Sequence, residues 1–192
     1  MVAIIKYNAG NITSVQNALN RLGVDSIVTE DSEKILSAEK VIFPGVGEAS
    51  SAMRYLKERA LDKVILSITQ PMLGICLGLQ LMCNYTEEGD TNCLGIFDTN
   101  VKLFPPKEKV PHMGWNNLTK IEGKLMEGLN CEDDFYFVHS YYAEICKSSI
   151  GICEYINPFS AMMQKGNYYA TQFHPEKSAS KGSKLLQNFI NL

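Results

Sequence analysis

The sequence lacks the features that mark membrane, secreted and nucleic-acid-binding proteins. No apolar run approaches the roughly 18–20 residues that a helix needs to cross a bilayer. The formal net charge of −3 gives no reason to expect a nucleic-acid partner. The apolar start, residues 1–6, lacks the basic beginning and the longer apolar stretch of a signal peptide, so we interpret it as a first core strand.

The chain also lacks any Cys-x-x-Cys pair among its 6 cysteines, so neither a zinc site nor a redox pair is predicted. An even number of cysteines would allow disulfides. However, the chain is long enough to bury a substantial core, and several cysteines stand in apolar runs. We therefore predict a reduced, cytoplasmic protein, with no metal and no organic cofactor.

Hydrophobic patterning divides the chain into two halves and predicts an α/β fold in a single domain, residues 1–192. In the first half, short continuous apolar strands alternate with helices, which is typical of a parallel sheet covered on both faces. These strands are predicted at 2–7, 24–28, 41–43 and 72–75, and the helices at 11–22, 32–36, 49–60, 62–69 and 77–84. In the second half, closely spaced strands favour antiparallel hairpins, followed by a last helix. These strands are predicted at 101–104, 135–138, 141–145, 151–155, 161–164 and 168–171, and the helix at 181–191.

Cys76 lies in a glycine frame, Gly74-Ile75-Cys76-Leu77-Gly78, between a predicted strand and a predicted helix. A turn of this kind exposes a nucleophile at the positive end of a helix, and flanking glycines permit a sharp backbone path. The plainer alternative is a buried cysteine that fills a gap in the core. The frame favours a nucleophile.

His174 and Glu176 supply a base and a carboxylate that can orient it. His174 is one of only 3 histidines and directly follows a predicted strand. If the segment is extended, residues two apart point the same way, so Glu176 can hold the imidazole in the tautomer that accepts a thiol proton. A surface His-Pro-Glu turn is the alternative. Together with Cys76, the pair predicts thiolate attack on a carboxamide, release of ammonia and hydrolysis of the thioester.

The loop Pro44-Gly45-Val46-Gly47 follows another predicted strand at the same edge of the sheet. The backbone N–H groups of Val46 and Leu77 are candidates for an oxyanion hole, where one donor is typically worth about 10²–10³ in rate. An ordinary strand-to-helix turn is the alternative.

The chain resembles the class I, triad-type glutamine amidotransferases, and among them the glutaminase subunits of imidazole glycerol phosphate synthase. The segments that carry this resemblance run almost from end to end, at residues 7–11, 43–48, 73–82, 111–116, 137–141 and 172–178. The cysteine and His-Pro-Glu elements are common to the class, whereas Pro-Gly-Val-Gly and Pro-His-Met-Gly-Trp-Asn are specific to this type of glutaminase. The resemblance implies a flavodoxin-like three-layer sandwich, with an antiparallel extension in the second half, and glutaminase activity.

The resemblance also implies which residues bind glutamine and which face a partner. The glutamine pocket would comprise Gly47, Gln80, Glu88, Ser140 and Tyr141. The partner would be a (β/α)₈-barrel cyclase that receives the ammonia, and it would contact Asn11, His112, Met113, Trp115, Asn116 and Tyr136. The complex would make imidazole glycerol phosphate and AICAR in histidine biosynthesis. His139 is interpreted as a structural or gating residue near this junction.

The resemblance further implies that the glutaminase activity of the lone chain is weak and rises when the cyclase binds its own ligand. This would follow if the Val46 amide is turned away at rest, since a Gly-Val-Gly peptide reorients at low cost. Three alternatives remain open: a paralogue that feeds ammonia to another acceptor such as a surface sugar, a stand-alone cysteine hydrolase, and a catalytically silent binding module.

Overall fold

The computed structural model describes residues 1–8 and 12–192, and strands and helices largely alternate in its first half. The strands are β1 (Val2–Ile5), β2 (Ser26–Thr29), β3 (Lys40–Phe43), β4 (Met72–Ile75), β5 (Tyr85–Thr86), β6 (Thr91–Asn92), β7 (Asn100–Leu103), β8 (His112–Asn116), β9 (Lys120–Ile121), β10 (Phe135–His139), β11 (Tyr141–Ala143), β12 (Ser149–Tyr155), β13 (Asn157–Lys165) and β14 (Tyr168–Thr171). The α-helices are α1 (Ile12–Arg21), α2 (Ser32–Ser37), α3 (Ala49–Glu58), α4 (Leu61–Leu66), α5 (Leu77–Leu81) and α6 (Ala179–Ile190). Short 3₁₀ turns occupy Lys124–Met126 and Pro175–Lys177. Asn11, predicted to begin the first helix and to contact a partner, lies outside the described residues.

The central sheet has eight strands in the order β2-β1-β3-β4-β14-β13-β12-β9. The first five run parallel to one another, and β13, β12 and β9 each run antiparallel to the preceding strand in this order. This arrangement confirms the predicted mostly parallel sheet with an antiparallel extension. Two smaller sheets stand apart from it, β10-β8 and β11-β7-β5-β6.

Alternate residues of the parallel strands pack into two separate hydrophobic clusters, one on each face of the sheet. Ile4 packs on the side of α1 and α6, whereas Ile5 packs on the side of α2 to α5. Because successive side chains of a strand point to opposite faces, this alternation requires helices on both sides. The chain therefore folds as three layers.

Carboxylate side chains begin two of the helices. Asp31 accepts hydrogen bonds from the backbone N–H groups of Glu33 and Lys34 at the start of α2. Glu48 does the same for Ser50 and Ser51 at the start of α3. Such caps satisfy N–H groups that lack a partner within the helix. The cap on α3 fixes the path of the chain directly after the 44–47 loop.

Three predictions were wrong in detail. Residues 112–116 were not among the predicted strands but form β8, which pairs antiparallel with β10. The last strand, β14, was predicted among antiparallel hairpins, but it also pairs parallel with β4. The helix after Cys76 ends at Leu81 and does not reach residue 84. The two-residue strands β5, β6 and β9 are too short to leave a periodic signal in the sequence.

Four parallel strands end at one edge of the sheet, and the segments that follow them converge there. Tyr7 follows β1, the 44–47 loop follows β3, Cys76 follows β4 and His174 follows β14. Binding sites of open α/β sheets lie beyond the carboxyl ends of the strands. Among the helices of the described ranges, none has the length and apolar character needed to cross a membrane.

Candidate active site

Cys76 occupies a strained backbone position between β4 and α5, with φ +54° and ψ −107°. Residues other than glycine rarely adopt positive φ, and such outliers cluster at functional sites. The glycines on either side are required by close approach rather than by their own φ. A Cβ on Gly78 would overlap the carbonyl oxygen of Phe43, and a Cβ on Gly74 would lie 2.5 Å from the sulfur of Met82. The frame therefore packs β3, β4 and α5 tightly beneath the cysteine.

His174 and Glu176 form a buried pair in which His174 Nδ1 lies 2.8 Å from Glu176 Oε1. The two side chains are 1% and 0% exposed. Sequence reasoning placed both residues on an extended segment, but only His174 is extended, and Pro175 begins a 3₁₀ turn. The turn brings the carboxylate back to the imidazole, so the contact forms by a different geometry from the one predicted.

The electrostatic surroundings of His174 favour its protonated form. Burial lowers the pKa of His174, but the charge and hydrogen-bonding capacity of Cys76, together with Glu176, outweigh it and raise that pKa to about 10. The other ring nitrogen, Nε2, is buried and completes no hydrogen bond within the described part of the chain. The charged imidazolium is thus the favoured state of His174 beside Cys76, and an imidazolium stabilises the thiolate form in which a cysteine acts as a nucleophile.

A cavity of about 310 Å³ opens beside the Cys76 sulfur. It is lined by Val46, Gly47, Cys76, Leu77, Gln80, Glu88, Pro111, Val138, His139, Ser140 and Tyr141. All five residues that were predicted to bind glutamine, and both predicted oxyanion donors, are in this set. The structure therefore brings together, in one concave site, residues drawn from both halves of the chain.

Glu88 is the one carboxylate that lines the cavity. Its Oε2 accepts the backbone N–H of Ala49 at the start of α3, at 2.9 Å. Partial burial raises the pKa of Glu88, the Ala49 N–H opposes this, and the nearby charge of Glu48 raises the pKa further. An ammonium group in the cavity would form an ion pair with the Glu88 carboxylate and would thereby oppose the effects of burial and of the Glu48 charge.

The predicted oxyanion donors are not both available in this conformation. The Leu77 N–H donates to the carbonyl oxygen of Gly45 at 3.3 Å, so the loop's own carbonyl occupies this donor. The preceding carbonyl, that of Pro44, accepts the hydroxyl of Tyr7 at 2.6 Å. Gly47 adopts φ +133°, which favours glycine. The Gly45 carbonyl thus holds the 44–47 loop against the start of α5, and the Pro44 carbonyl holds it against the segment that follows β1.

His112 was predicted to contact a partner, but its side chain is 4% exposed and points into the interior. Its Nδ1 lies 3.0 Å from Nε2 of His139, whose Nδ1 lies 2.8 Å from the carbonyl oxygen of Tyr141. A carbonyl only accepts, so His139 carries its proton on Nδ1, and His112 must donate from Nδ1. The Nε2 of His112 then accepts from the amide of Asn116, at 3.3 Å.

Burial lowers the pKa of His112 to about 4 and that of His139 to about 3. Both rings are therefore neutral near pH 7, as the direction of their hydrogen bonds also requires. The side-chain amide of Asn116, another predicted contact residue, donates hydrogen bonds to His112 Nε2 and to the carbonyl of Glu154. These residues support the cavity wall at Tyr141 from within.

Three other predicted contact residues, Met113, Trp115 and Tyr136, do reach the surface. Together with Lys177, which was not predicted to contact a partner, they define what we call the Trp115 face. Met113 and Trp115 are 58% and 55% exposed. The rings of Trp115 and Tyr136 meet edge to face with centroids 5.9 Å apart, and the Lys177 amine lies 6.0 Å from the Tyr136 ring. The Tyr136 carbonyl accepts the N–H of His174 at 2.9 Å, so this face adjoins the site.

Sequence reasoning gave no role to Gln172, whose carboxamide contacts the nucleophile. Its Nε2 lies 3.6 Å from the Cys76 sulfur, and its Oε1 accepts from Gln80. The side chain is 0% exposed. The available signal was its position two residues before His174, directly after β14.

Comparison with known proteins places the chain in a family. The family model for class-I glutamine amidotransferases matches residues 3–192. A protein of Bacteroides fragilis named imidazole glycerol phosphate synthase subunit HisH is 54% identical over 194 residues, covering 100% of this chain and 99% of that protein. A Legionella pneumophila protein with the name HisH 2 is 46% identical over 195 residues, covering 100% and 98%.

A solved structure from Thermoplasma acidophilum, described as a putative GMP synthase component, superposes with a TM-score of 0.76 at 20% identity, covering 100% of this chain and 92% of that one. At this identity the likeness speaks for the fold alone, and it agrees with the three layers described above. The match to the family model and the two full-length relatives carry the assignment. This chain belongs to the class-I glutamine amidotransferase family.

Proposed function

We propose that this chain is the glutaminase subunit of an imidazole glycerol phosphate synthase and hydrolyses L-glutamine to L-glutamate and ammonia. The observation that carries the proposal is the placement of Cys76, which lines the cavity and interacts with His174 of the buried His174–Glu176 pair. The full-length relatives at 54% and 46% identity support the choice of pathway, because their names specify this synthase.

The proposed reaction begins with attack of the Cys76 thiolate on the side-chain carboxamide carbon of glutamine. The carbon–sulfur bond forms, and the carbonyl electrons move to oxygen. The imidazolium of His174 donates its proton to the nitrogen as the carbon–nitrogen bond breaks, so ammonia leaves and a thioester remains. Neutral His174 then takes a proton from water, and the hydroxide attacks the thioester carbon. The carbon–sulfur bond breaks, so glutamate is released and the thiolate is restored.

Glu176 acts by holding His174 in position and by stabilising its positive charge. The carboxylate contacts Nδ1, which leaves Nε2 to exchange the proton with sulfur and substrate. The pKa of His174, raised to about 10, means that the proton required by the leaving nitrogen is already in place near pH 7.

Five cavity residues are proposed to bind the substrate. Glu88 would pair with the α-ammonium group of glutamine. Gly47, Gln80, Ser140 and Tyr141 would surround the remainder of the substrate with backbone and amide groups. The cavity volume of about 310 Å³ lies within the range that is typical of small-molecule sites.

The oxyanion hole is proposed to form only after the 44–47 loop turns. The Gly45 carbonyl occupies the Leu77 N–H, so a carbonyl oxygen of substrate cannot accept from it until that contact opens. The Gly45 carbonyl and the Val46 N–H belong to the same peptide group. A rotation of this peptide would move the carbonyl away from Leu77 and present the Val46 N–H to the substrate. This supports weak activity of the lone chain and activation by a liganded partner.

The partner is proposed to be a cyclase with a (β/α)₈ barrel that docks on the Trp115 face and receives the ammonia. Exposed Trp, Tyr and Met residues are enriched in protein interfaces. This face adjoins His174 through the Tyr136 carbonyl. Ammonia released from the thioester-forming step would then have a short path to the partner.

Glutamate formation measured in three mixtures tests the proposal: the chain alone, the chain with the cyclase, and both with the cyclase ligand. We expect low, intermediate and high turnover, and none in any mixture with Cys76→Ala. Equal turnover in the first and third mixtures would contradict the proposed activation. Synthesis that persists with Cys76→Ala and glutamine as the nitrogen source would contradict the assignment of the nucleophile.

The docking surface is tested by titrating the cyclase against Trp115→Ala. Truncation of a central aromatic interface residue typically costs about 2 kcal/mol or more, so we expect the affinity to fall about 30-fold. Leu66→Ala is the matched control, because Leu66 is 51% exposed and belongs to α4, which precedes β4 at the opposite edge of the sheet. Equal affinities of the two variants would contradict the docking surface.

A further inference from the structure

We infer that Gln172 is a further catalytic residue, whose carboxamide N–H donates a hydrogen bond to the Cys76 sulfur and stabilises its thiolate form. The inference deepens the proposed function and rests on it only for the identity of Cys76 as the nucleophile. It starts from a buried contact in which Gln172 Nε2 lies 3.6 Å from Cys76 Sγ.

The orientation of the Gln172 amide follows from a chain of hydrogen bonds that begins at a backbone carbonyl. The carbonyl of Tyr141 only accepts, so the group that faces it at 3.0 Å must be the NH₂ of Gln80. The same NH₂ lies 3.2 Å from the carboxamide of Gln172, which must present its oxygen there. The NH₂ of Gln172 therefore faces the sulfur of Cys76.

The position of Gln172 is fixed as firmly as its orientation. Its side chain is 0% exposed, and its backbone N–H donates to the carbonyl of Ala161 in β13 at 2.8 Å. The N–H of Cys76 donates to the carbonyl of Thr171, the residue before Gln172, at 2.7 Å. The cysteine and the glutamine are thus tied to the same point of the β4–β14 pair, and their contact does not depend on a mobile loop.

The contact distinguishes the two protonation states of the sulfur. A thiol can donate to the carbonyl of Val138, 3.9 Å away, whereas a thiolate cannot. The Gln172 N–H is a donor, and donors strengthen their bonds to anionic acceptors. An amide has no proton to exchange near neutral pH, so Gln172 favours the anion without competing with His174 for the proton.

The substitution of Gln172 does not alter any of the titratable groups around the Cys76 sulfur. His174 with Glu176 follows β14, Tyr7 follows β1, and His139 and Glu88 line the cavity. The Gln172 carboxamide forms its hydrogen bonds with Gln80 and Cys76. Replacement of Gln172 therefore removes one donor and leaves these groups in place.

The test measures alkylation of Cys76 by iodoacetamide as a function of pH in the full chain, with the modified peptide quantified by mass spectrometry. Because only the thiolate reacts, the midpoint of the rate against pH reports the thiolate population. In Gln172→Met, which keeps the volume but has no donor, we expect the midpoint to rise by about one to two pH units and kcat near pH 7 to fall about 10- to 100-fold.

Gln164→Met is the matched control, because Gln164 lies on β13 and contacts the hydroxyl of Tyr169 rather than the sulfur. Its midpoint should equal that of the unmodified chain. An unchanged midpoint in folded Gln172→Met would overturn the inference. If Gln172→Met does not fold, Gln172→Glu replaces it, since Glu keeps an acceptor for Gln80. There the midpoint should also rise, and no rise would overturn the inference.

The alkylation result does not depend on glutamine turnover. If the unmodified chain fails to hydrolyse glutamine with its partner while the midpoint rises in Gln172→Met, the proposed function fails and the role of Gln172 toward the sulfur stands. If turnover is normal and the midpoint is unchanged, the proposed function stands and the role of Gln172 fails.

Discussion

The neutral pair His112 and His139 predicts a specific dependence of stability on pH. The pKa of His112 is lowered to about 4 by burial, and that of His139 to about 3, from an ordinary value of 6.5. In the unfolded chain both rings take up protons as the pH falls through about 6.5, whereas in the folded chain they do not. The unfolded state then binds more protons, so the stability is fully present above pH 6.5 and is lost as the pH falls.

The magnitude follows from the number of protons that the folded chain excludes. One excluded proton reduces the free energy of unfolding by about 1.4 kcal/mol per pH unit, and two reduce it by about 2.7 kcal/mol per unit. For His112, the drop in pKa from 6.5 to about 4 limits the total loss to about 3 kcal/mol. His174 contributes little toward the acid end of this range, because its pKa of about 10 keeps it protonated in the folded chain and its ordinary pKa of about 6.5 leaves it mostly protonated in the unfolded chain there.

The perturbation is His112→Asn, since the Asn side chain retains an N–H near the position of Nδ1 and can donate to His139. Urea unfolding between about pH 5 and about pH 8 gives the free energy of unfolding at each pH. Toward the acid end of this range, we expect the slope to approach two protons in the unmodified chain and one proton in His112→Asn. The variant also loses ring contacts with Phe137 and Tyr155, which lowers its stability at every pH.

Phe137→Leu separates packing from titration. The Phe137 ring stacks on His112 with centroids 4.9 Å apart but does not titrate. This variant should lose about 1–2 kcal/mol at every pH and keep the two-proton slope. A slope near zero in the unmodified chain, or an equal slope in His112→Asn, would refute the reasoning that the pair stays neutral inside the fold.

Three further predictions concern the nucleophile and its support. Glu176→Gln keeps an acceptor for His174 Nδ1 but removes the charge, so kcat for glutamate formation should fall about 10²-fold or more with little change in KM. Gly78→Ala places a methyl group against the Phe43 carbonyl, and urea unfolding should show a loss of about 1–3 kcal/mol. Tyr7→Phe releases the Pro44 carbonyl, and the turnover of the lone chain should rise about two- to tenfold as the 44–47 loop turns more readily. A fall in that turnover would argue against a restraining role for Tyr7.

Much of the fold could be predicted because the parallel strands are continuous apolar runs. Residues 72–75 were predicted with the bounds of β4, and 168–171 with those of β14. The pairing of these two strands could not be predicted, because they are almost a hundred residues apart and periodicity carries no information on partners. β8 was missed for a different reason: Gly114 and the polar residues around it weaken the alternation of a strand.

In the candidate site, too, features with a local sequence signal could be predicted, whereas contacts between distant segments could not. Cys76 and His174 could be identified because glycine, histidine and proline leave clear local signals. The hydrogen bond from the Leu77 N–H to the Gly45 carbonyl could not be predicted, because it depends on the angle at which a loop meets a helix. Gln172 was missed because a glutamine carries no signal of its own, and its role arises from a contact with a sulfur 96 positions away along the chain.

The three histidines show why residue type alone could not assign the base. His174 meets a carboxylate at Nδ1 and lies within the electrostatic influence of Cys76, so the charged ring is favoured and its pKa rises to about 10. His139 meets a carbonyl and a second imidazole, neither of which is an anion, and burial lowers its pKa to about 3. A positive charge on His139 would repel the imidazolium of His174 and so weaken the support that this imidazolium gives to a thiolate at Cys76. The neutral state of His139 therefore supports catalysis indirectly, because His174 remains the one histidine positioned to carry a proton to the leaving nitrogen.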